Sequence, residues 1–542
     1  MTNRTTKTTK LTATAISLML VLLAGCSQSS TNTNSPSPSG EAPKAAEGDK
    51  NADPAAPKAD KTYKISWVTG QSQPVDANAE MIKYWEEKLK IDLDVWNIES
   101  TKYADLLGLK FASGEIPDRM LLSGFSNLQK YASQDILAEI PLDMLKKYAP
   151  NVYAMTEKSF PNAFNYAKVN GKIYGIPRLS FYSTFRSPIV WRGDWLKNVG
   201  IDKAPETLDE FEKAVYKLTK EDPDKNGKND TYGLSTTALP LVYGAYGYLP
   251  EVWAEKDGKL VYGGIQPEMK EALKLLSKWY KDGVIDPEFV TGENKGGYWA
   301  LSHAFINGRI GLSSLGVYYH WKPVLFEGDG ASHDYLEVKK VNPQAADSLL
   351  HGMPPKGPNG KMGVPQNSML SGVFISFGKQ LEKEPDKLAK ILQVIEAISA
   401  TSYENYVTAM YGIQGKHWDF DKNQIPALKN NLQTQDLEKM GANSVIESLE
   451  LPEYTQKRVG IASKWAEEHG FSKGGMVNKL LAPLASEGKY LAELNKMREQ
   501  YYISIITGDK PIDAFDEFVA KWKSSGGDQL TKEANDWYAQ VK

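Results

Sequence analysis

The chain has 542 residues, of which 41% are hydrophobic and 24% are charged. This length and composition predict a globular protein with two or three lobes, and they exclude a small disulfide-stapled scaffold, a collagen and a multi-span membrane protein. The formal net charge of -3 at pH 7 gives no broad basic field for a phosphate backbone, so we expect no nucleic acid partner.

The first 25 residues are predicted to be a signal peptide. Arg4, Lys7 and Lys10 precede a mainly apolar stretch over residues 11–24, which is too short to span a bilayer as a stable helix. The stretch ends Leu-Ala-Gly-Cys and resembles a bacterial lipobox, in which the cysteine receives a diacylglycerol. We therefore expect Cys26, the single cysteine, to carry the palmitate-type lipid that anchors the protein to the outer face of the bacterial cell membrane.

Residues 26–61 are predicted to be the lipidated cysteine followed by a disordered tether. After Cys26 this segment consists of Ser, Thr, Asn, Gln, Pro, Ala, Gly and charged residues, with no large apolar side chain. Such a segment cannot bury enough surface to offset its ordering entropy. As a flexible coil it would reach roughly 30–35 Å, so a folded body can stand clear of the membrane.

The body that follows alternates strand and helix patterns. Apolar residues at helical spacing run from Met81 to Leu89 between the first two β-rich runs. Strands are predicted at residues 64–68, 91–96, 119–122 and 172–176. Strands separated by amphipathic helices form mostly parallel sheets covered on both faces, and ligands bind beyond the carboxyl ends of such strands. The loops after the first, third and fourth strands are therefore candidate binding positions.

The second part of the body continues the α/β pattern. Thr207 and Glu210 have the spacing of a capping box at the start of an amphipathic helix whose apolar stripe ends at Leu218. Further elements are predicted at residues 298–306 (helix), 309–313 (strand, followed by an aromatic-rich loop), 515–522 and 533–538 (both helices).

A twelve-residue segment that begins at Asp222 has the oxygen pattern of a calcium-binding loop. Its ligands are expected from Asp222, Asp224, Asn226, Lys228 (main-chain carbonyl) and Asp230. The twelfth position is glycine in place of a bidentate Glu, so water or a distant acid would complete the shell. We expect a structural Ca²⁺ that neutralises the clustered carboxylates. A bare surface turn of Asp, Asn and Gly is the alternative.

Motifs for catalysis and organic cofactors are absent from the sequence. It contains no GxxxxGK[ST], no GxGxxG after a strand, no HExxH, no CxxC and no GxSxG. The six histidines show no metal-ligand spacing, and no cysteine follows Cys26. We therefore expect neither an enzyme nor an organic cofactor.

Several stretches, in their order along the chain, carry a family resemblance. GKIYGIPR is followed by WRGDWLKNVGI and the PETLDEF helix, and FINGRIGLSSLGVYYHW comes later. With the lipobox, the tether and the alternating body, they resemble the extracellular solute-binding proteins of carbohydrate ABC importers, in particular large oligosaccharide-binding lipoproteins of Gram-positive bacteria.

This resemblance implies a two-lobe α/β fold of the periplasmic-binding-protein type (class II). Each lobe would be a mostly parallel sheet flanked by helices, with the ligand cleft between the lobes. By the same resemblance, one lobe covers residues 62–180 plus 366–440 and the other covers 181–365 plus 441–542. The resemblance also implies an oligosaccharide ligand and ABC permease subunits as partners, and we expect a monomer.

A sugar presents C–H faces to aromatic rings and hydroxyls to planar polar groups. Side chains of both kinds occur on the loops where the resemblance places the cleft. The candidates are Trp67, Gln71, Arg178, Tyr182, Trp191, Arg192, Asp194, Tyr318, Tyr319, Trp321, Tyr411, Gln414, His417 and Trp418. The resemblance further implies that one aromatic of the SLGVYYHW loop stacks on sugar. For Trp67, Trp191 and Trp195 taken singly, packing in the core is the alternative, and for the candidates in residues 411–418 the alternative is a turn packed against the core.

Two other functions are compatible with the sequence. An exported carbohydrate-active enzyme, a glycosidase or a lyase, needs little more than two carboxylates across a cleft, and their separation cannot be read from a chain with 67 acids. A sugar-binding protein could also report to a sensor and feed no transporter.

Overall fold

The computed structural model describes residues 55–76, 78–291, 301–325 and 332–542. The predicted signal peptide, Cys26 and most of the predicted tether lie outside these residues. Residues 55–61, the end of the predicted tether, lie against the folded body, because Lys61 Nζ is 3.0 Å from Asp386 Oδ2. In the part of the chain that the structure describes, no helix combines the length and apolarity needed to cross a membrane.

The strands follow one another in short elements. They are β1 (Tyr63–Gln71), β2 (Ile91–Glu99), β3 (Arg119–Ser123), β4 (Lys168–Val169), β5 (Lys172–Ile173), β6 (Ile176–Leu179), β7 (Val190–Arg192), β8 (Trp253–Lys256), β9 (Lys259–Tyr262), β10 (Leu312–Ser313), β11 (Leu349–His351), β12 (Val364–Gln366), β13 (Leu370–Phe377), β14 (Trp418–Phe420), β15 (Pro426–Leu428) and β16 (Gly475–Val477).

The α-helices lie between and after these strands. They are α1 (Glu80–Leu89), α2 (Tyr103–Ala112), α3 (Phe125–Ser133), α4 (Leu142–Tyr148), α5 (Pro150–Ser159), α6 (Gly193–Asn198), α7 (Leu208–Lys220), α8 (Leu239–Ala245), α9 (Glu268–Lys281), α10 (His303–Ile306), α11 (Tyr318–Trp321), α12 (His333–Val341), α13 (Pro343–Asp347), α14 (Pro385–Ser399), α15 (Tyr403–Tyr411), α16 (Thr434–Lys439), α17 (Pro452–Glu468), α18 (Glu487–Thr507), α19 (Ala514–Trp522) and α20 (Asp528–Val541).

The largest sheet has five strands in the order β2-β1-β3-β13-β6. β1 pairs in parallel with β2 over its whole length and with β3 at Trp67. β13 runs against both β3 and β6. All strands of this sheet except β13 therefore point the same way, and their carboxyl ends meet at one edge, where the sequence predicted the binding loops.

The predicted strand over residues 172–176 is divided into β5 and β6. The division lies at Gly175, where an added Cβ would come within 2.9 Å of Phe374 Cβ, so the backbone passes close against β13. β6 is an edge strand, which explains why Pro177 is tolerated there without loss of a ladder hydrogen bond.

A second sheet has β7 in the middle, antiparallel to both β10 and β11. β10 and β11 therefore share one direction. Parallel bridges at Tyr232–Ile310 and Leu234–Ile285 lie outside the named strands. Both strand pairings of this sheet are therefore antiparallel, so the α/β class is confirmed, whereas the mostly parallel sheet predicted for each lobe does not hold for the named strands of this sheet.

Two large hydrophobic cores accompany the two sheets. The first is drawn from residues 63–176 and 374–451, and it packs α1, α4 and α14 on the five-stranded sheet. The second is drawn from residues 189–364 and 484–534, and it includes the apolar faces of α7, α9, α18 and α19. The first core extends to Leu451, beyond the residue at which the sequence ended that lobe, and the lobe boundaries themselves stay a prediction.

Three segments of chain pass from one core to the other, at residues 177–188, 365–373 and 452–483. They are hydrogen-bonded to one another. Ser180 N donates to Met369 O (2.8 Å), and Arg186 N donates to Phe471 O (3.0 Å). We call these three segments the crossing segments.

Most predicted helices of the second part are confirmed, with changed ends. The Thr207–Glu210 capping box is formed and starts α7, and the last two predicted helices correspond to α19 and α20. The described part of the predicted 298–306 helix begins at His303, and residues 298–300 lie outside the described residues. The aromatic segment predicted as a loop contains the short helix α11, because Trp321 Nε1 donates back to Leu315 O (2.8 Å).

Candidate functional site

Tyr182 lies where the first crossing segment leaves the five-stranded sheet. β6 ends at Leu179, and a short 3₁₀ turn over Phe181–Thr184 follows. The Phe181 amide donates to Glu450 Oε1 (2.6 Å), which fixes this turn against the chain just before α17. The turn presents Tyr182 with 36% of its surface exposed.

Tyr319 reaches Tyr182 from α11, the short helix that follows β10 of the second sheet. Its ring centroid is 5.6 Å from that of Tyr182, at an interplanar angle of 65°. Tyr318 lies behind it, buried, with its ring centroid 5.2 Å from Tyr319 and 4.6 Å from Phe185. The structure therefore brings together a ring from each of two segments that the sequence had proposed separately.

Arg458 and Tyr411 stand beside this pair of rings. Arg458 Nη1 donates to Tyr411 Oη (3.2 Å). Arg458 and Glu450 are close enough for their charges to act on the Tyr182 phenol. Desolvation raises the pKa of Tyr182 above its usual 10 despite the exposed part of its side chain, so its hydroxyl stays neutral and able to hydrogen-bond at neutral pH.

Arg178 and Arg119 share one carboxylate in the adjoining part of the site. Arg178 Nη1 lies 2.8 Å from Glu447 Oε1, and Arg119 Nη2 lies 3.6 Å from Glu447 Oε2. Arg119 is fully buried, donates through Nη1 to Val68 O (3.0 Å) and lies 4.5 Å above the Trp67 ring. We call Tyr182, Tyr319, Tyr411, Arg178 and Arg458 the tyrosine–arginine cluster.

Several buried polar atoms of this region lack a hydrogen-bond partner in the protein. They are Arg119 Nε and Nη2, Arg178 Nε, Arg458 Nε and Glu447 Oε2. Buried polar atoms of folded proteins are almost always satisfied, and exceptions concentrate at functional sites. The arrangement of flat rings, guanidinium groups and carboxylates matches the polar and apolar faces of a polyhydroxylated ligand.

Two glutamates, Glu447 and Glu450, line the same region. Burial raises the pKa of Glu450 above its usual range, although the Phe181 amide and the charges of Arg178 and Arg458 oppose this shift. Glu447 is held instead by its two arginines. Glu450 is therefore more easily protonated than an ordinary glutamate.

Other predicted ligand-binding residues lie in the protein interior. Trp67, Trp191, Trp321 and Trp418 are all fully buried. Trp67 Nε1 donates to Val445 O (2.9 Å), and Trp191 packs on Phe211 with ring centroids 5.2 Å apart. In this structure these four indoles are packing groups, the alternative that the sequence had left open.

The polar candidates outside the cluster have partners within the protein. Gln71 Nε2 donates to Asn97 Oδ1 (2.5 Å), and Arg192 forms a bidentate pair with Asp194. His417 Nδ1 accepts from the Ile413 amide (3.0 Å), and Gln414 Nε2 donates to Asp419 Oδ1 (3.4 Å). These contacts hold turns and helix ends, and none of these side chains belongs to the tyrosine–arginine cluster.

Arg119, Tyr406, Glu447, Glu450 and Arg458 were not predicted from the sequence. Arg119 starts β3, Tyr406 and Arg458 lie in α15 and α17, and the two glutamates lie in the loop before α17. No motif marks any of these residues. The sequence places Arg119 at the start of a predicted strand, and that position alone does not predict that its guanidinium is buried.

The predicted calcium loop forms a compact turn around Asn226. Its amide Nδ2 donates to Asp224 Oδ2 (2.8 Å) and Asp230 Oδ1 (3.2 Å), while the Asn226 backbone amide donates to Asp222 Oδ1 (3.1 Å). Burial, followed by the neighbouring Asp222 and Asp230 carboxylates, raises the pKa of Asp224. Within the described ranges no set of three His, Cys, Asp or Glu side chains has the arrangement of a metal site.

A separate cavity of about 390 Å³ lies where α20 meets the first core. Tyr166 and Trp537 line it, with their ring centroids 5.8 Å apart. Gln129, Asn165 and Gln540 contribute amide groups. This contact ties the C-terminal helix to the β4–β5 hairpin.

A family model described as bacterial extracellular solute-binding protein matches residues 79–380. The polygalacturonan/rhamnogalacturonan-binding protein YtcQ of Bacillus subtilis (strain 168) is 28% identical over 506 residues, which cover 89% of this chain and 93% of that protein. Lipoprotein LipO of the same organism is 25% identical over 485 residues, which cover 85% of this chain and 88% of that protein.

A solved structure gives the same result for the fold. An HMO-binding, ABC-transporter-associated solute-binding protein from Bifidobacterium longum infantis superposes with a TM-score of 0.61 at 16% identity, covering 89% of this chain and 99% of that one. The matched family model spans more than half of the present sequence. The chain belongs to the bacterial extracellular solute-binding protein family.

Proposed function

We propose that this protein captures an oligosaccharide outside the cell and delivers it to the permease of an ABC importer. The observation that carries the proposal is the Tyr182–Tyr319 pair, in which a ring from the first crossing segment meets a ring from α11, the helix after β10 of the second sheet, beside Arg458. The similarity to YtcQ, which is named as a polygalacturonan/rhamnogalacturonan-binding protein, supports the same class of ligand.

Capture would work by closure of the two cores on the ligand. Arg178 and Tyr411 belong to elements of the first core, whereas Tyr319 belongs to the segment after β10 of the second sheet. A ligand that contacts both binds the closed arrangement more tightly and shifts a pre-existing equilibrium towards it. The closed form is then the one that the permease recognises, and no covalent step is needed.

The predicted lipid on Cys26 would keep the protein beside its permease. The relative LipO is described as a lipoprotein, which supports this part of the proposal. We further propose that the protein acts as a monomer. Metabolic labelling with a palmitate analogue tests the anchor: wild type should be labelled and Cys26→Ser should not, whereas equal labelling would contradict it.

A calorimetric screen tests the ligand class. We expect the purified protein to bind at least one short oligosaccharide, and a ligand present at about 100 times its dissociation constant should stabilise the fold by roughly 2.7 kcal/mol. Failure to bind any saccharide would refute the proposal. Release of new reducing ends from a bound ligand would favour the glycosidase alternative.

We also propose a structural Ca²⁺ in the turn around Asn226. Asp222, Asp224, Asp230, the Asn226 amide oxygen and the Lys228 carbonyl would hold it, and it would neutralise three carboxylates on one turn. An amide N–H group now stands between the Asp224 and Asp230 carboxylates, the position that suits a cation.

Chelation tests this site. EDTA should lower the melting temperature, Ca²⁺ should restore it, and Asp224→Asn should abolish the difference. Asp257→Asn, a change in an exposed hairpin turn, is the matched control and should leave the response to Ca²⁺ intact. An unchanged melting temperature of the wild type on chelation would count against the site.

A further inference from the structure

We propose that the tyrosine–arginine cluster selects a saccharide that carries a carboxylate, a uronic acid unit, and that Arg458 is the residue that contacts this carboxylate. The inference rests on the proposed function and specifies its substrate class. It follows from the excess of positive charge in this region and from the guanidinium nitrogens, Arg178 Nε and Arg458 Nε, that have no hydrogen-bond partner.

Positive charge exceeds negative charge in this region. Arg119, Arg178 and Arg458 stand against Glu447 and Glu450, an excess of one positive charge when all five groups are ionised. Glu447 is already shared by two of the arginines, and Glu450 accepts a hydrogen bond from the Phe181 amide. Glu450 interacts with Arg458 through its charge but forms no ion pair with it, so among the described residues no carboxylate is in direct contact with the third arginine.

Arg458 is the arginine of this region that has no carboxylate in direct contact. Over the described ranges it forms no ion pair, and its hydrogen-bond partners are the Tyr411 hydroxyl (3.2 Å) and the Tyr406 phenol. Its Nε is buried and unpartnered. Tyr182 and Tyr406 are also close enough for electrostatic interaction, and burial raises the pKa of both phenols, so they contribute no negative charge at neutral pH.

A partly desolvated guanidinium without a counter-charge is unfavourable, and a carboxylate that reaches it restores a strong charge-assisted pair. The planar guanidinium fork matches a carboxylate through two parallel hydrogen bonds. A neutral sugar offers hydroxyls alone and leaves the positive charge uncompensated. Arg458 thus provides a physical basis for preferring an acidic sugar over its neutral counterpart at a site that otherwise suits both.

Isothermal titration calorimetry of the full protein with three matched ligands tests this preference. The ligands are a galacturonic acid trimer, its methyl ester and a neutral galactose trimer. We expect the acid to bind at least tenfold more tightly than the ester, and rising salt to weaken the acid more than the ester. Equal affinities for acid and ester would overturn the inference while leaving saccharide capture intact. Binding of no trimer at all would overturn both.

Variants assign the preference to Arg458. Arg458→Gln should bring acid and ester affinities within about twofold of each other, and Arg458→Lys, which keeps the charge, should recover part of the preference. Lys464→Gln removes the same charge from an exposed position on the same helix and should leave the preference unchanged. If Arg458→Gln has the melting temperature of the wild type and still prefers the acid, Arg458 is not the residue that contacts the carboxylate. If that variant fails to fold, the ratio of acid to ester affinity is measured for Arg458→Lys and Tyr411→Phe, and a wild-type ratio in both would contradict the role of Arg458.

Discussion

Tyr319 is the side chain on which stacking in the proposed site depends most directly. It is half-buried against Tyr318 and Tyr182, and it comes from α11 after β10 of the second sheet, whereas Arg178 lies in β6 of the first sheet. We expect Tyr319→Ala to weaken oligosaccharide binding by about 1 kcal/mol, roughly fivefold in Kd, because a ring face is lost.

The conservative change Tyr319→Phe separates stacking from hydrogen bonding. It keeps the ring and removes the hydroxyl, so we expect affinity close to that of wild type. Calorimetric titration of both variants with the best ligand from the screen measures the difference. If alanine and phenylalanine bind equally well, Tyr319 does not stack on the ligand.

His351 gives the folded protein a pH-dependent stability. Burial, with smaller contributions from His469 and Arg186, lowers its pKa from 6.5 to about 3. Between these two values the unfolded chain takes up a proton that the folded protein refuses, so stability falls as the pH drops below 6.5 and the loss is complete near 3. The slope for one such group is about 1.4 kcal/mol per pH unit.

Replacing His351 with Phe should remove this slope while keeping a ring against Trp465, whose centroid lies 4.9 Å away. Urea denaturation at several pH values between 6.5 and 4 measures the free energy of unfolding. His303→Asn, a change at an exposed histidine, is the control and should keep the wild-type slope. Parallel pH profiles for wild type and His351→Phe would contradict the assignment.

Among the elements, α7 shows how a local sequence signal fixes a helix start. Thr207 Oγ1 accepts from the Glu210 amide (3.2 Å), and the Glu210 carboxylate accepts from the Thr207 amide (3.1 Å). Thr207→Ala should cost about 1 kcal/mol of unfolding free energy, whereas Thr207→Ser should cost little because it keeps the cap. Chemical denaturation of the two variants checks this, and equal losses would contradict it.

The same element explains how much of the fold the sequence could predict. The signals for α7, α19, β1 and β2 are local: caps, helical spacing and runs of β-rich residues determine them within a few positions. The β5–β6 break was missed because Gly175 is required by the neighbouring β13, about two hundred residues later in the chain. A requirement imposed by a distant strand cannot be read from residues 172–176 alone.

The candidate site was only partly predictable for the same reason. Tyr182 and Tyr319 were found because aromatic residues on loops after strands are recognisable. Arg119, Glu447 and Arg458 come from a strand, a loop and a helix far apart in sequence, and their juxtaposition exists only after folding. Burial of Trp67 likewise depends on Val445, which accepts its indole N–H.

For the whole molecule, the crossing segments are the connections about which the two cores would close on a ligand in the proposed mechanism. All three crossing segments connect the cores, and the last of them contains α17. Within α17 the backbone is non-helical at Gly460 (φ 37°). Helix bends of this type are sites where a small backbone change redirects the elements on either side.

Small-angle X-ray scattering tests closure directly. We expect the radius of gyration to decrease when a saturating oligosaccharide binds, with Tyr319→Ala showing the same change only at a higher ligand concentration. An unchanged radius at saturation, with binding shown by calorimetry, would mean that capture occurs without movement of the cores.

The way the chain is divided between its cores has a consequence for biogenesis. The first core begins at residue 63, but β13 and α14, which complete it, follow β6 in the chain by about two hundred residues. At typical rates of about 5–20 residues per second, those residues alone take roughly 10–40 s to synthesise. The second core in turn needs residues up to 534. Neither core can be completed until most of the chain has been synthesised, so the nascent polypeptide is still incompletely folded at the stage when an extracellular protein has to be exported.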